Sequence, residues 1–215
     1  MNIDIPCVLI FAGKPRSGKS HCIRYFMYTM RKKFHYGLVF TKTNFTNAYE
    51  YIPAGYVHPN YNEAKLRNLM SIQAELVKQG IQKQAFVIFD DCLTTQFNTE
   101  LFTDLVTQHR HYNITVIIST QYIYKINPTI RECANYVIIF HQSTKRSNMA
   151  LYESFGNHLN SLSDWMAYLM QNTGDYNFIF VNTNSPSNDT NDVYKVYKAP
   201  DKIPKFHLKY NTDVV

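Results

Sequence analysis

Near its start the chain runs Cys7-Val8-Leu9-Ile10-Phe11-Ala12 straight into Gly13-Lys14-Pro15-Arg16-Ser17-Gly18-Lys19-Ser20. No other stretch narrows the possible folds as far. It satisfies G-x-x-x-x-G-K-[ST] at every fixed position, with an apolar run of strand length before it and Ile23, Phe26, Met27 and Met30 at helical spacing after it. A strand that turns through glycines into a helix is the setting in which such a loop binds phosphate. The glycines let backbone N–H groups point inward, and the following helix offers its positive end to the same charge. Gly13, Lys14, Pro15, Arg16, Ser17, Gly18, Lys19, Ser20 and the adjoining His21 are therefore the expected nucleotide-binding residues. Within them Lys19 is expected to reach the β- and γ-phosphates, and Ser20 to ligate Mg²⁺.

Such a site needs an acidic partner at the end of a neighbouring strand. Phe86-Val87-Ile88-Phe89 runs directly into Asp90 and Asp91. Adjacent carboxylates after a buried strand are costly unless a cation balances them. Asp90 is thus expected to hold Mg²⁺ through water, and Asp91 to polarise the attacking water. A third apolar run, Ile114 to Ile118, ends in Ser119-Thr120-Gln121. In a parallel sheet it would bring Gln121 to the γ-phosphate or the water. Two arginines are candidates for a residue acting on a neighbouring subunit's nucleotide, Arg110 between His109 and His111, and Arg131 in Pro-Thr-Ile-Arg-Glu-Cys.

Elsewhere strand-length apolar runs alternate with helical stretches, the pattern of a mostly parallel central sheet with helices on both faces. Strands are expected at 36–43, 84–92, 113–121 and 135–142, and edge strands at 176–183 and 193–200 near the C-terminus. Helices are expected at 19–34, at 61–82 with a stop near Gly80, at 98–112 opened by an Asn98 cap, and at 159–171. Residues 44–61 and 182–192 read as loops, the first able to cover a site. With 215 residues, 45% of them hydrophobic, and no linker or repeat, residues 1–215 are expected to form a single α/β domain. The net charge of +6 makes a polyanionic partner plausible. The four cysteines are too scattered for a zinc site and are expected to be reduced and mostly buried. Neither a secretion signal nor an apolar run of membrane-spanning length is visible.

Taken in order, GKPRSGKS, FVIFDDC, QHRHYNITVIISTQ, NPTIREC and NYVIIF resemble the poxvirus-type genome-packaging ATPases of large DNA viruses, virophages and some archaeal viruses, within the FtsK/HerA superfamily of P-loop ATPases. The resemblance spans about residues 5 to 142, with the motifs at 5–142 and a C-terminal helix and edge strands over 143–215. It implies that Lys19 and Ser20 bind ATP and Mg²⁺, that Asp90 and Asp91 form the acidic motif, that Gln121 senses the γ-phosphate, and that Arg110 rather than Arg131 acts in trans. It also implies hydrolysis of ATP to ADP and phosphate at the interfaces of a homo-oligomeric ring, a pentamer or hexamer. Hydrolysis would pull double-stranded DNA, without regard to sequence, into a preformed capsid. The implied partners are DNA and a capsid or portal-vertex protein, and the implied place is the host cytoplasm, a viral factory or the virion. Lys42 and the Lys145-Arg146 pair, on loops, are candidates for tracking the DNA backbone. The rival reading is a nucleoside or nucleotide kinase, which usually carries an Arg-rich lid that this sequence lacks; a nucleotide switch without turnover is a third.

Overall fold

The computed structural model describes residues 3–43, 47–92, 99–187 and 189–209. The phosphate loop joins strand β1 (Val8–Ala12) to helix α1 (Lys19–Met30). β2 (Tyr36–Thr41) follows, then a two-residue strand β3 (Val57–His58) inside the stretch expected to be loop. Helix α2 (Glu63–Lys78) begins where the Asn62 side chain accepts from the Lys65 N–H, and it ends just before Gly80, whose φ of 73° favours glycine. β4 (Ala85–Asp90), α3 (Glu100–Gln108) and β5 (Ile114–Thr120) come next. Thr99, not Asn98, caps α3, its hydroxyl accepting from the Phe102 N–H; Asn98 lies outside the described residues.

Beyond β5 the chain makes the short α4 (Pro128–Glu132), β6 (Tyr136–Ile139) and α5 (Lys145–Phe155). Helix α6 (Leu162–Asn172), β7 (Asn177–Asn182), α7 (Thr190–Val193) and β8 (Tyr194–Lys198) complete the described elements. Helix α5 corrects the sequence reading, because Lys145 and Arg146 form its first turn rather than a loop. Thr144 caps it, and Ala150, Leu151 and Phe155 on one face are buried.

The eight strands form one sheet in the order β3-β2-β4-β5-β1-β6-β7-β8. The first six in this order run parallel; β7 lies antiparallel beside β6, and β8, antiparallel to β7, returns to the common direction. Only β8 of this pair is an edge, since β7 lies between β6 and β8. Every residue of β1, β2, β4, β5 and β6 is buried, as expected of strands covered on both faces. The pleat divides them. Val8, Ile10 and Ala12 face a core completed by α2, α3, α5 and α6, with Trp165 fully enclosed. Leu9 and Phe11 face Cys22, Ile23, Phe26 and Met27 of α1, where Tyr51, Phe206 and Leu208 close the other layer. The strands' common direction brings the C-terminal ends of β1, β4 and β5 to one rim, with Ala12 beside Thr120 and Asp90 beside Ser119.

Candidate nucleotide site at the strand ends

The phosphate loop is pinned on both sides as it leaves the sheet. The Gly13 N–H donates to the Thr120 carbonyl at 3.1 Å, and the Lys14 N–H to the His141 carbonyl at 3.2 Å. A side chain at position 13 has no room, since a Cβ would stand 2.6 Å from Phe140 Cβ and 2.7 Å from Ser17 Oγ. Arg16 (φ 61°) and Gly18 (φ 99°) take left-handed conformations that curl the loop before α1 begins. At the centre of the curl, Lys19 Nζ donates to the Gly13 carbonyl at 2.8 Å and the Lys14 carbonyl at 3.1 Å. Burial pushes the Lys19 ammonium's pKa down, while Asp91 and Asp90 pull it back up. The Ser17 hydroxyl is buried without a hydrogen-bond partner. An anion seated in the loop would meet both groups.

Pro15, Arg16, Gly18, Lys19, Ser20 and His21 line one side of a cavity of about 430 Å³, and Asp90, Asp91 and Gln121 line the other. All three of the latter come from strands adjoining in the sheet. Asp90, the last residue of β4, is 4% exposed, and its Oδ2 accepts from Thr41 Oγ1 at 3.4 Å. Burial raises its carboxyl above the ordinary range, and the Asp91 charge adds to this. The Ser119 and Tyr49 hydroxyls and the Lys19 charge draw it down again, although neither hydroxyl completes a hydrogen bond of ordinary geometry. Asp91 leaves the strand at φ 49°, and its Oδ2 accepts from Gln121 Nε2 at 2.9 Å. One carboxylate is thus sunk beside the lysine, and the other is half-buried and aimed by the amide. Such a donor set, with a serine hydroxyl and a carboxylate on facing walls, suits a hard divalent cation.

The buried carboxylate has a measurable consequence. Because its pKa is raised in the native state, its charge opposes folding above that pKa, and the penalty fades as pH falls through it. Asp90→Asn is expected to stabilise the ligand-free chain at neutral pH by about 1 kcal/mol, or roughly 2–4 °C in midpoint. Calorimetry at neutral and mildly acidic pH checks this, since the gain should shrink on acidification.

The two arginines part company. Arg131 is buried, 8% exposed, and its guanidinium donates to the Ala150 carbonyl at 3.0 Å, tying α4 to α5. Arg110 is exposed in the turn before β5, where its carbonyl accepts from the Asn113 N–H. It stands near Cys7 at the start of β1, a strand's length (about 20 Å) from the phosphate rim. His109 beside it is buried, its Nδ1 bonded to the Val106 carbonyl at 2.8 Å, and serves the end of α3. The structure also adds residues that no sequence motif marks. Thr43, at the end of the run read as a strand, Ala48, from the stretch read as a covering loop, and Tyr176 line the cavity.

A family model described as Poxvirus A32 protein matches residues 3–203. The chain belongs to that family. The resemblance read from the motifs is therefore borne out over more of the chain than those motifs span. Among relatives of the A32-family chain, protein 075L of Invertebrate iridescent virus 6 is 25% identical over 186 residues, covering 84% of this chain and 72% of that one. Protein L437 of Acanthamoeba polyphaga mimivirus is 26% identical over 216 residues, covering 94% and 75%. Both are described as uncharacterized. Among solved structures, the genome packaging NTPase B204 of Sulfolobus turreted icosahedral virus 2 with ATP-γS superposes with a TM-score of 0.66 at 18% identity, over 91% of this chain and 98% of that one. The pCW3 conjugation coupling protein TcpA gives a TM-score of 0.64 at 16% identity, over 97% of this chain and 63% of that one. The fold of the A32-family chain is thus the P-loop NTPase fold expected from the sequence.

Proposed function

We propose that the chain is an ATP-hydrolysing motor that moves double-stranded DNA into a viral capsid. The observation that carries this reading is the cavity in which a phosphate loop, the Asp90-Asp91 pair and Gln121 converge within membership of the A32 family. Lys19 and the loop amides bind and orient the phosphates. Ser20 and Asp90 would hold Mg²⁺, which supplies charge neutralisation at the phosphate oxygens when bound. Asp91 positions the attacking water and takes up its proton, with the Gln121 amide fixing the direction of its carboxylate. The work is positioning and charge stabilisation.

Arg110 cannot serve the loop of its own chain from the far end of the sheet. A head-to-tail contact between copies would bring it to a neighbour's cavity, and such contacts form a ring where the rotation between copies closes. Arg131, locked into the α4–α5 joint, is left with a structural role. For DNA, Lys125, Lys145 and Arg146 form a basic edge just beyond Gln121, where Arg146 lies 4.2 Å over the Tyr124 ring and Lys125 4.7 Å over Tyr122. Among the described residues no helix is long and apolar enough to cross a membrane. A capsid or portal-vertex protein remains the proposed docking partner, in the host cytoplasm, a viral factory or the virion. The kinase reading is not favoured, because A32 membership joins the lack of an Arg-rich lid in weighing against it.

The test is the ATPase rate with and without long double-stranded DNA. DNA is expected to raise the rate several-fold, and the stimulation to collapse as salt rises because phosphate contacts depend on counterion release. A robust rate indifferent to DNA, or acceptor-dependent transfer to nucleosides or monophosphates, would overturn the motor.

A further inference from the structure

Beside the phosphate cavity, and sharing Gly18, His21 and Tyr176 with it, a second cavity of about 220 Å³ opens between the start of α1 and residues 198–201. Two aromatic rings form its walls. Both stand over Gly18, where a Cβ would meet Tyr176 Cδ1 at 3.4 Å and Phe140 Cε1 at 3.6 Å. Phe140 is buried and packs on Phe178 at 5.3 Å between centroids, so its ring is fixed from behind. Tyr176 is the opposite case, 62% exposed, a large ring held out from the surface.

Its placement is costly. Asp175 and Tyr176 take φ of 49° and 61°, two successive left-handed residues without a glycine; aspartate tolerates this region, and the aromatic residue bears about 1–2 kcal/mol. The surroundings hold them there. Lys198 Nζ on β8 pairs with Asp175 Oδ2 at 2.9 Å, and the Asn177 N–H returns to the Gly174 carbonyl at 2.9 Å. On the other side His21 Nε2 bonds the Pro200 carbonyl at 2.8 Å, fastening the wall formed by residues 198–201 to α1. Strain kept at an exposed aromatic beside a binding cavity is better accounted for by a ligand than by folding, since the ring adds little to the core.

We propose that this slot seats the heteroaromatic base of the nucleoside triphosphate, stacked on Tyr176 with Phe140 as its inner wall. A triphosphate lying in the loop extends its nucleoside past Gly18 and His21, the residues the two cavities share. Tyr176 offers a π face, which any base can use, and Asp201 and Lys198 at the rim supply an acceptor and a donor for the base's polar edge. The proposal rests on the reading of the neighbouring loop as a triphosphate site, and the experiment separates the two.

Binding of ATP and of inorganic tripolyphosphate, which has no base, is measured by titration calorimetry on the full chain and on Tyr176→Asn, Tyr176→Phe and Lys19→Ala. Asparagine removes the ring yet tolerates the left-handed backbone. Tyr176→Asn is expected to weaken ATP about tenfold and leave tripolyphosphate within about twofold. Tyr176→Phe, which keeps the ring, should bind both like the parent. Equal weakening of both ligands by Tyr176→Asn, or no weakening of ATP, overturns the base seat. Lys19→Ala should weaken both ligands, and if it weakens neither, it is the triphosphate reading of the loop that fails.

Discussion

Lys19→Ala is expected to reduce ATP hydrolysis by about a thousandfold, the scale on which loss of a preorganised charge at a developing anion acts. In the ligand-free chain the ammonium is desolvated among backbone carbonyls of its own loop, which it must exchange for phosphate oxygens. Alanine removes a buried cation that already suffers from burial, so the variant should melt within a few degrees of the parent. The two effects separate cleanly in one thermal-shift measurement. ATP with Mg²⁺ raises the parent's midpoint by mass action and should leave that of the variant where it was. A variant that hydrolyses ATP at the parental rate would remove Lys19 from the site.

The second large effect falls on Asp91. Asp91→Asn keeps the backbone at φ 49°, which asparagine tolerates, and keeps an oxygen able to accept from Gln121 Nε2. What is lost is the carboxylate's negative charge, and with it the ability to take up a proton. The turnover rate is expected to fall about a hundredfold or more while ATP affinity stays near that of the parent. Gln121→Ala should reproduce a milder form of the same phenotype, because the carboxylate is then present but unaimed. Direct nucleotide binding alongside steady-state kinetics distinguishes the two steps. Parallel losses of affinity and rate in Asp91→Asn would place the residue in binding rather than in activation of water.

The sheet was legible where the sequence was unambiguous. Parallel strands buried on both faces leave nearly continuous apolar runs; those of β4 and β5 end in polar residues at the rim, and that of β1 runs straight into the phosphate loop. The loop, the Asp pair and Gln121 could be aligned for that reason. Other elements left weaker traces. Helix α5 starts with Lys145-Arg146-Ser147-Asn148, a polar string that reads as loop, and only the Thr144 cap and the later apolar spacing reveal it. β3 has two residues, too few for any period to register. The capping position of α3 slid by one because asparagine and threonine are both good caps. Arg131 looked available in sequence because nothing there foretells the carbonyl of Ala150 beside it. Tyr176 had no signal whatever, since its place over Gly18 arises from the antiparallel return of β7 and β8, a topological matter that local residue patterns do not encode.

The separation of Arg110 from the phosphate loop along one sheet gives the chain a polarity. On the proposed reading, one end receives nucleotide, and the other offers Arg110 to a neighbour's nucleotide. In a closed ring of such chains, damage at the two ends is inherited differently. A copy with a ruined loop silences its own site but still completes the next one. A copy lacking Arg110 would work at its own site and silence the one beside it, so such a circuit would have a direction even when every subunit is identical.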